Sequence, residues 1–371
     1  MSTPPRGTFY IAGGGTGGHL YPGLAIADAL VAERPQLDVM FIGALRGIER
    51  TVLPTTRWRH ALLDLHPLYR SKPWQNWRTV RGLASAFKSI GYEARRSPPV
   101  GILGTGGYAA GALLGYARMK SVPYFLQEQN AVAGMTVRFF SGSARAVFLG
   151  FPEARHTLPT ALGDRVLVTG NPIAPPPTPL PDRAIARAKW GFSESISRVL
   201  LVFGGSQGSR AINDAFALWL AASLPIGWGV IWVTGRSEFE RLAHHASDRV
   251  RVVAYQQPMA DAYAAADLAV ARAGAMSTAE LCAWGIPMVL IPLPTAAADH
   301  QTQNAQALAS AHAARLILQQ TLSDGALSLA LTAICSDPAQ LESMGQRAHE
   351  RARTDAAQAI AQHIIASLNL Q

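Results

Sequence analysis

The stretch that decides the fold is Thr8-Phe-Tyr-Ile-Ala-Gly-Gly-Gly-Thr-Gly-Gly-His-Leu20, which leads into Leu20–Glu33, a run whose apolar residues recur at helical spacing. A short continuous apolar run such as Thr8–Ala12 reads as a strand buried on both faces, the mark of a parallel sheet. Glycines between such a strand and a helix let backbone approach a ligand, and the N–H groups opening the helix attract a phosphate. Gly13, Gly15 and Gly18 match the dinucleotide fingerprint, yet the acidic ribose anchor expected about 20 residues on is missing. The second strand ends Phe41-Ile-Gly-Ala44 without a carboxylate, and no Gly-Lys-Ser/Thr follows the glycines. A tight turn alone would explain a few glycines; five in the six positions 13–18 point to a ligand.

Working outward, Asp38–Ile42, Val100–Leu103, Tyr124–Gln127, Ala146–Leu149 and Val166–Val168 repeat the strand pattern, with helical stretches such as Gln75–Ala94 between them. Pro172–Pro181 then places six prolines in ten residues, a stiff extended linker that can serve as a hinge. A second series follows at Val199–Phe203, Val230–Thr234, Arg251–Ala254, Leu268–Ala271 and Met288–Ile291. The plan is two doubly wound, Rossmann-like α/β domains facing across a cleft: residues 1–171, a linker at 172–182, and 183–354. The last helix, about 355–371, carries Ile360, Ile364, Ile365 and Leu368 on one stripe and is expected to pack back on the first domain.

Composition agrees. The 371 residues suit two domains, and 49% apolar with 15% charged residues exclude a disordered or fibrous chain. Cys282 and Cys335 are the only cysteines, which leaves no disulfide framework or thiolate metal site and suits a reducing cytosol. Residues 1–7 run straight into the apolar run and read as a strand start rather than a signal peptide. The charge-free stretch Ser97–Ala117 is broken by Gly104, Gly106 and Gly107, and so reads as a strand and a helix rather than a membrane span. The formal net charge is +9, and the whole surplus lies in the first half. Residues 57–96 interleave nine Lys and Arg with Trp74, Trp77 and Phe87; with Arg78 and Arg81 these form a candidate surface for an anionic membrane or nucleic acid.

Several further motifs carry chemistry. His19, at a helix start that favours the neutral imidazole, is a candidate general base; the alternative is a residue bonding local backbone. Gly204-Gly-Ser-Gln-Gly208 repeats the phosphate-loop device in the second half. One such loop per domain predicts a diphosphate or two phosphorylated ligands in the cleft. In Arg272-Ala-Gly-Ala-Met-Ser-Thr-Ala-Glu280, Glu280 could hold the hydroxyls of a ribose, although Ser277-x-x-Glu280 is equally an ordinary capping box. Asp299-His-Gln-Thr-Gln-Asn304 could read sugar hydroxyls or simply open a helix. No Asp-x-Asp pair occurs, which argues for helix N-termini and cations, not a metal, behind a departing diphosphate.

GGGTGGHLYPGLAIADAL, GTGGYAAG, LQEQNAVAG, TGNP, GGSQGS, RAGAMSTAEL and DHQTQNA occur in this order over nearly the whole chain. Together they resemble the MurG family of peptidoglycan glycosyltransferases. The resemblance implies a GT-B fold, no cofactor and no metal. It also implies inverting transfer of GlcNAc from UDP-GlcNAc to the C4 hydroxyl of undecaprenyl-diphosphate-linked MurNAc-pentapeptide, lipid I, giving lipid II. Carried over, it places Thr16, Gly17 and Gly18 on the donor side of the first loop, and Gly14, Gly15, Gly106, Gly107 and Tyr108 in an acceptor or phosphate loop. Asn130 would contact the donor, with Glu128 beside it as a second catalytic candidate next to His19. Ser206 would hold the diphosphate, Ala275, Met276, Ser277, Thr278 and Glu280 the uridine portion, Gln256 the uracil side and Gln301 the GlcNAc hydroxyls.

This sequence departs from the family pattern at Ala174, where a basic residue is common, and at Gln127, where His is common. It also departs in Tyr255-Gln-Gln-Pro-Met259, which lacks the usual Ile and acidic pair. The basic aromatic stretch would then meet the anionic inner leaflet, each Lys or Arg contributing on the order of 1 kcal/mol. That implies a peripheral enzyme on the cytoplasmic face of the inner membrane, with no nucleic-acid partner. The rival readings are a UDP-sugar transferase for another lipid such as diacylglycerol, a nicotinamide-dependent oxidoreductase, and a basic nucleic-acid-binding protein.

Overall fold

The computed structural model describes residues 7–65 and 76–370. Contacts divide the chain into two units, Met1–Ile173 with Asp355–Gln371, and Ala174–Thr354.

The first unit is built on seven strands: β1 (Thr8–Gly13), β2 (Asp38–Ala44), β3 (Arg59–Leu63), β4 (Pro99–Gly106), β5 (Tyr124–Glu128), β6 (Ala146–Leu149) and β7 (Val166–Val168). All pair in parallel, in the order β3-β2-β1-β4-β5-β6-β7. Alternation along β1 sends Tyr10 and Ala12 to one face and Phe9 and Ile11 to the other. On the first face they meet helices α3 (Asn76–Arg96), α4 (Gly107–Met119) and α5 (Met135–Phe140) through Ile90, Leu113 and Val137. The second face is covered by α1 (Gly17–Glu33) and the C-terminal α14 (Ala356–Ser367); a short helix, α2 (Glu49–Val52), follows β2. The charge-free stretch that spans β4 and α4 is thus a strand and a helix, and no helix among the described residues is long and apolar enough to cross a membrane.

Helix α14 shows how the chain end is held. Ile360, Ile364 and Ile365 are buried beside Ile26 and Leu30 of α1, each contributing about 1.5–3 kcal/mol. At the rim, Gln358 and Gln362 donate to Glu33, and the Arg34 guanidinium donates to the Leu370 carbonyl at 2.7 Å.

The second unit has six parallel strands: β8 (Arg198–Phe203), β9 (Trp228–Val233), β10 (Val250–Val253), β11 (Leu268–Ala271), β12 (Met288–Leu290) and β13 (Ala314–Leu316), ordered β10-β9-β8-β11-β12-β13. Its helices are α6 (Arg183–Lys189), α7 (Arg210–Ser223), α8 (Phe239–Leu242), α9 (Ala260–Ala265), α10 (Ala275–Ala283), α11 (His300–Ser310), α12 (Ala326–Cys335) and α13 (Pro338–Glu350). Phe216 of α7 packs edge-on to Trp232 of β9, ring centroids 4.8 Å apart, in a core shared with Val202, Trp219 and Leu331. Asp267, just before β11, accepts from Arg183, Arg187 and the Val199 N–H, and so fastens α6 to the base of the sheet.

Both sheets reverse direction beside their first strand. The switch falls between β1 and β4 in one unit and between β8 and β11 in the other. Loops leaving the carboxyl ends of such a strand pair diverge to opposite faces and leave a crevice where doubly wound proteins bind ligands. The glycine-rich loops after β1 and β8, and the loops after β4 and β11, lie at these two points.

Candidate active site

In the first unit the β1 and β4 loops are joined, the Gly14 N–H donating to the Gly106 carbonyl at 3.4 Å. Thr16 is the N-cap of α1, with extended backbone and no side-chain cap bond. His19 lies one turn in, its Nδ1 3.2 Å from the Gly14 carbonyl and 3.3 Å from Thr16 Oγ1. Its main-chain oxygen is held by the buried Thr105 hydroxyl at 2.7 Å. A Cβ on Gly106 would stand 3.0 Å from His19 Nε2, so that glycine makes room for the ring. Tyr108 packs beside Gly15, whose φ of +90° suits glycine.

Protein neighbours, not open space, account for Gly14: a Cβ there would fall on the carboxylate of Glu49. Glu49 is fully buried and accepts the N–H groups of Gly15 and Ala44. The carboxylate missing from the end of β2 is therefore supplied five residues later, and it faces the loop backbone rather than a ligand.

Glu128, at the end of β5, is buried too. One oxygen accepts the N–H and side-chain amide of Asn130, at 3.0 and 3.1 Å; the other accepts the Gly134 N–H at 2.7 Å. Burial pushes this carboxyl above its ordinary range, against the pull of those hydrogen bonds. With both oxygens accepting from its own loop, Glu128 holds Asn130 in place. Beneath it, Gln127, Gln129 and Asn171 form a buried amide cluster, Gln127 donating to Asn171 at 3.2 Å and Asn171 to the Gln129 carbonyl at 2.9 Å.

In the second unit, the loop after β8 opens α7. Ser209 is the N-cap, accepting from the Ile212 N–H at 3.4 Å. Gly205 has φ +87° and nothing within 4 Å of where a Cβ would stand; Ser206 and Gln207 are exposed beside it. Arg272, at the end of β11, reaches under this loop to Ser209 Oγ and Gln319 Oε1, both at 2.7 Å, and to the carbonyls of Ile291 and Pro292. Every one of these acceptors is neutral, so among the described residues the guanidinium meets no carboxylate within ion-pair distance. Burial lowers the pKa of this group.

The loop after β11 corrects one expectation. Helix α10 begins at Ala275 with Gly274 as N-cap, which places Ser277 inside the helix and dissolves the capping box. Glu280 instead accepts the Tyr263 hydroxyl of α9 at 2.7 Å. Burial raises the Glu280 carboxyl, and the Tyr263 bond opposes the rise. Tyr263 is itself buried, edge-on to Phe203 of β8, and its phenol is raised well above the ordinary value by burial and then by Glu280. Thr278 is corrected as well: its hydroxyl donates to the carbonyls of Gly274 and Ala275 and is buried, so it does not face a ligand. Ala275 is buried, while Met276 and Ser277 are partly exposed on the first turn.

Gln301 of α11 accepts the Leu293 N–H at 3.0 Å, and Asn304 donates to the Ala273 carbonyl at 3.1 Å, which ties the Asp299–Asn304 segment to the β11 loop. Gln256 is half-exposed and donates to the Pro258 carbonyl. Neither thiol is a nucleophile, since burial pushes Cys282 and Cys335 up to about 12.

Of the basic aromatic stretch, Trp74 lies outside the described residues, as do the side chains of Trp77, Arg78 and Arg81 on α3. Phe87 packs on the first core, close to Gly115 of α4, and keeps part of its surface exposed. Sequence reasoning missed Glu49 and Tyr263 as parts of these sites; Arg272 stood in a recognised motif without a role.

Residues 9–149 match the glycosyltransferase family 28 N-terminal domain and residues 199–360 its C-terminal domain. A UDP-N-acetylglucosamine–N-acetylmuramyl-(pentapeptide) pyrophosphoryl-undecaprenol N-acetylglucosamine transferase of Halorhodospira halophila is 41% identical, covering 95% of this chain and 96% of its own. The protein of the same name from Salinibacter ruber is 38% identical, with 96% and 95% covered. Among solved structures, MurG from Acinetobacter baumannii superposes with a TM-score of 0.76 at 27% identity, covering 97% of this chain and 99% of that one. Two glycine-looped Rossmann-type units, a match to both halves of one family and relatives alike over their full length lead to one assignment: the chain belongs to glycosyltransferase family 28, among its MurG transferases.

Proposed function

We propose that this chain transfers GlcNAc from UDP-GlcNAc to the C4 hydroxyl of the muramoyl sugar in undecaprenyl-diphosphate-linked MurNAc-pentapeptide. The observation that carries the reading is the second unit's switch point. There the open Gly205 stands beside exposed Ser206, a half-buried carboxylate at Glu280 and a guanidinium at Arg272 held by neutral acceptors, in a chain alike over its full length to named GlcNAc transferases. The Glu280 carboxylate suits the two hydroxyls of a ribose. The N–H groups of the loop and the start of α7 suit a diphosphate, and Ser206 can add a hydroxyl. Arg272 lies one residue behind, at Ser209, and offsets charge without taking a contact.

The chemistry is a single displacement with inversion. His19 Nε2 accepts the proton of the attacking hydroxyl, the oxygen forms a bond to the anomeric carbon, and the bond from that carbon to the diphosphate oxygen breaks. Its electron pair leaves with UDP. Charge grows on the departing diphosphate, where preorganised N–H donors and the half-buried Arg272 cation stabilise it most. The acceptor's lipid tail calls for a membrane surface, and the basic stretch 57–96 supports peripheral binding at the anionic leaflet.

Labelled UDP-GlcNAc incubated with the lipid-linked muramoyl acceptor should give a labelled lipid product, and diacylglycerol should give none. Labelling of diacylglycerol with the muramoyl lipid left untouched would contradict the reading.

A further inference from the structure

The fully buried carboxylate of Glu49 sits five residues past β2 and has no role in the chemistry above. One oxygen accepts the Gly15 N–H at 3.0 Å, the other the Ala44 N–H at 3.2 Å. No cation lies within ion-pair distance of it among the described residues. Three glycines clear its space. A Cβ on Gly14 or Gly47 would fall on the carboxylate, and one on Gly43 would stand 2.9 Å from the Glu49 Cβ.

The peptide group between Gly14 and Gly15 links this carboxylate to His19. Its N–H goes to Glu49, and its carbonyl oxygen lies 3.2 Å from His19 Nδ1. A carbonyl can only accept, so in this bond Nδ1 carries the hydrogen and Nε2 the lone pair. A carboxylate on the N–H end of an amide polarises the group and makes its oxygen a better acceptor. Chains of this kind strengthen each bond by about 10–30%.

We propose that Glu49 is a positioning residue for His19, holding the imidazole through the Gly14–Gly15 peptide in the tautomer that presents Nε2 as the base. The inference rests on His19 as the proton acceptor. In the step it serves, the acceptor's hydroxyl proton moves to Nε2. The imidazolium that results is stabilised by the same peptide, whose dipole Glu49 aligns. When the proton later leaves to solvent, the original tautomer returns. Among the described residues, Tyr108 of α4, beside Gly15, and Tyr21 of α1, beside Gly17, are further titratable groups that face the loop.

The test is Glu49→Gln, which keeps shape and removes charge. The expected result is a fall in kcat of about tenfold, a fraction of the 10²–10⁴ that general-base catalysis contributes, with KM for UDP-GlcNAc unchanged. The acid limb of the kcat/KM profile should move to lower pH, because loss of a nearby anion disfavours the imidazolium. A merely structural role would lower Tm and leave that limb in place, and an unmoved limb overturns the proposal.

Nitrogen-15 NMR of the unmodified protein tests it without any variant. Hydrogen on Nδ1 of His19 supports the relay, and hydrogen on Nε2 in the neutral ring overturns it. His19→Ala separates the two layers of the argument: full kcat there removes the base itself, whereas a large loss with an unmoved Glu49→Gln limb removes only the relay.

Discussion

The glycine-rich loops after β1 and β8 look alike as sequences and differ as structures. In the first, Gly14 is a glycine because Glu49 occupies the place of its side chain, and in the adjoining β4 loop the His19 ring takes the place of a side chain on Gly106. In the second, Gly205 meets nothing, and the space around it is open beside exposed Ser206 and Gln207. One loop is shaped around a carboxylate and an imidazole, the other around a vacant approach to backbone. The same composition therefore supports two tasks: holding a base in a fixed tautomer, and receiving a diphosphate at a helix N-terminus.

The comparison breaks most visibly at His19. His19→Ala should lower kcat by about 10²–10⁴ with KM for UDP-GlcNAc nearly unchanged, measured by labelled sugar transfer at saturating substrates. A normal kcat would leave the first loop a purely structural element.

A matched pair of alanine substitutions sharpens the contrast. Gly14→Ala forces a methyl into the Glu49 carboxylate and should cost about 1–3 kcal/mol of stability in thermal unfolding, with kcat reduced through His19. Gly205→Ala has room for its methyl but pays about 1–2 kcal/mol for the left-handed backbone. Its distinguishing effect should be weaker UDP binding by calorimetry. If Gly14→Ala weakened UDP and Gly205→Ala did not, the tasks would be reversed.

A smaller effect is expected at Tyr263. Tyr263→Phe removes one hydrogen bond to Glu280 and should weaken UDP binding by about 0.5–1.5 kcal/mol while leaving kcat at saturation intact. The smallest effect is one of pH. Burial raises the Glu280 carboxyl above its ordinary range, and only the ionised form accepts both ribose hydroxyls. UDP affinity should therefore fall as pH drops through that raised value, at higher pH than for an exposed carboxylate. The Tyr263 bond lowers the Glu280 value, so Tyr263→Phe should carry the inflection further up the pH scale. The stability term has the opposite sense. A carboxyl raised in the fold stabilises below its unfolded value, and that contribution is lost as pH rises through the folded one.

Most of the fold was legible in the sequence because central parallel strands are buried on both faces and read as unbroken apolar runs. The two strands that were not legible, β3 (Arg-His-Ala-Leu-Leu) and β13 (Ala-Arg-Leu), are sheet edges. An edge strand needs no continuous apolar run, and charged residues there guard the open side. The glycine loops after β1 and β8 were legible because each joins an unbroken apolar strand to a helix of regular apolar spacing.

Glu49 and Tyr263 were not legible, since each meets its partner only after folding. Glu49 reaches the first loop because β2 pairs beside β1, and Tyr263 reaches Glu280 because α9 and α10 flank β11. The capping-box reading of Ser277 and Glu280 failed for a related reason. Helix α10 starts three residues earlier than that motif assumes, and helix ends are the part of an element that sequence specifies least.

The most direct measurement is a crystal structure of the protein with UDP-GlcNAc bound. The account predicts the ribose hydroxyls on Glu280 and the diphosphate over Gly205 and Ser206. A uridine lodged on the Gly13–His19 loop, with the second unit's loop empty, would contradict it.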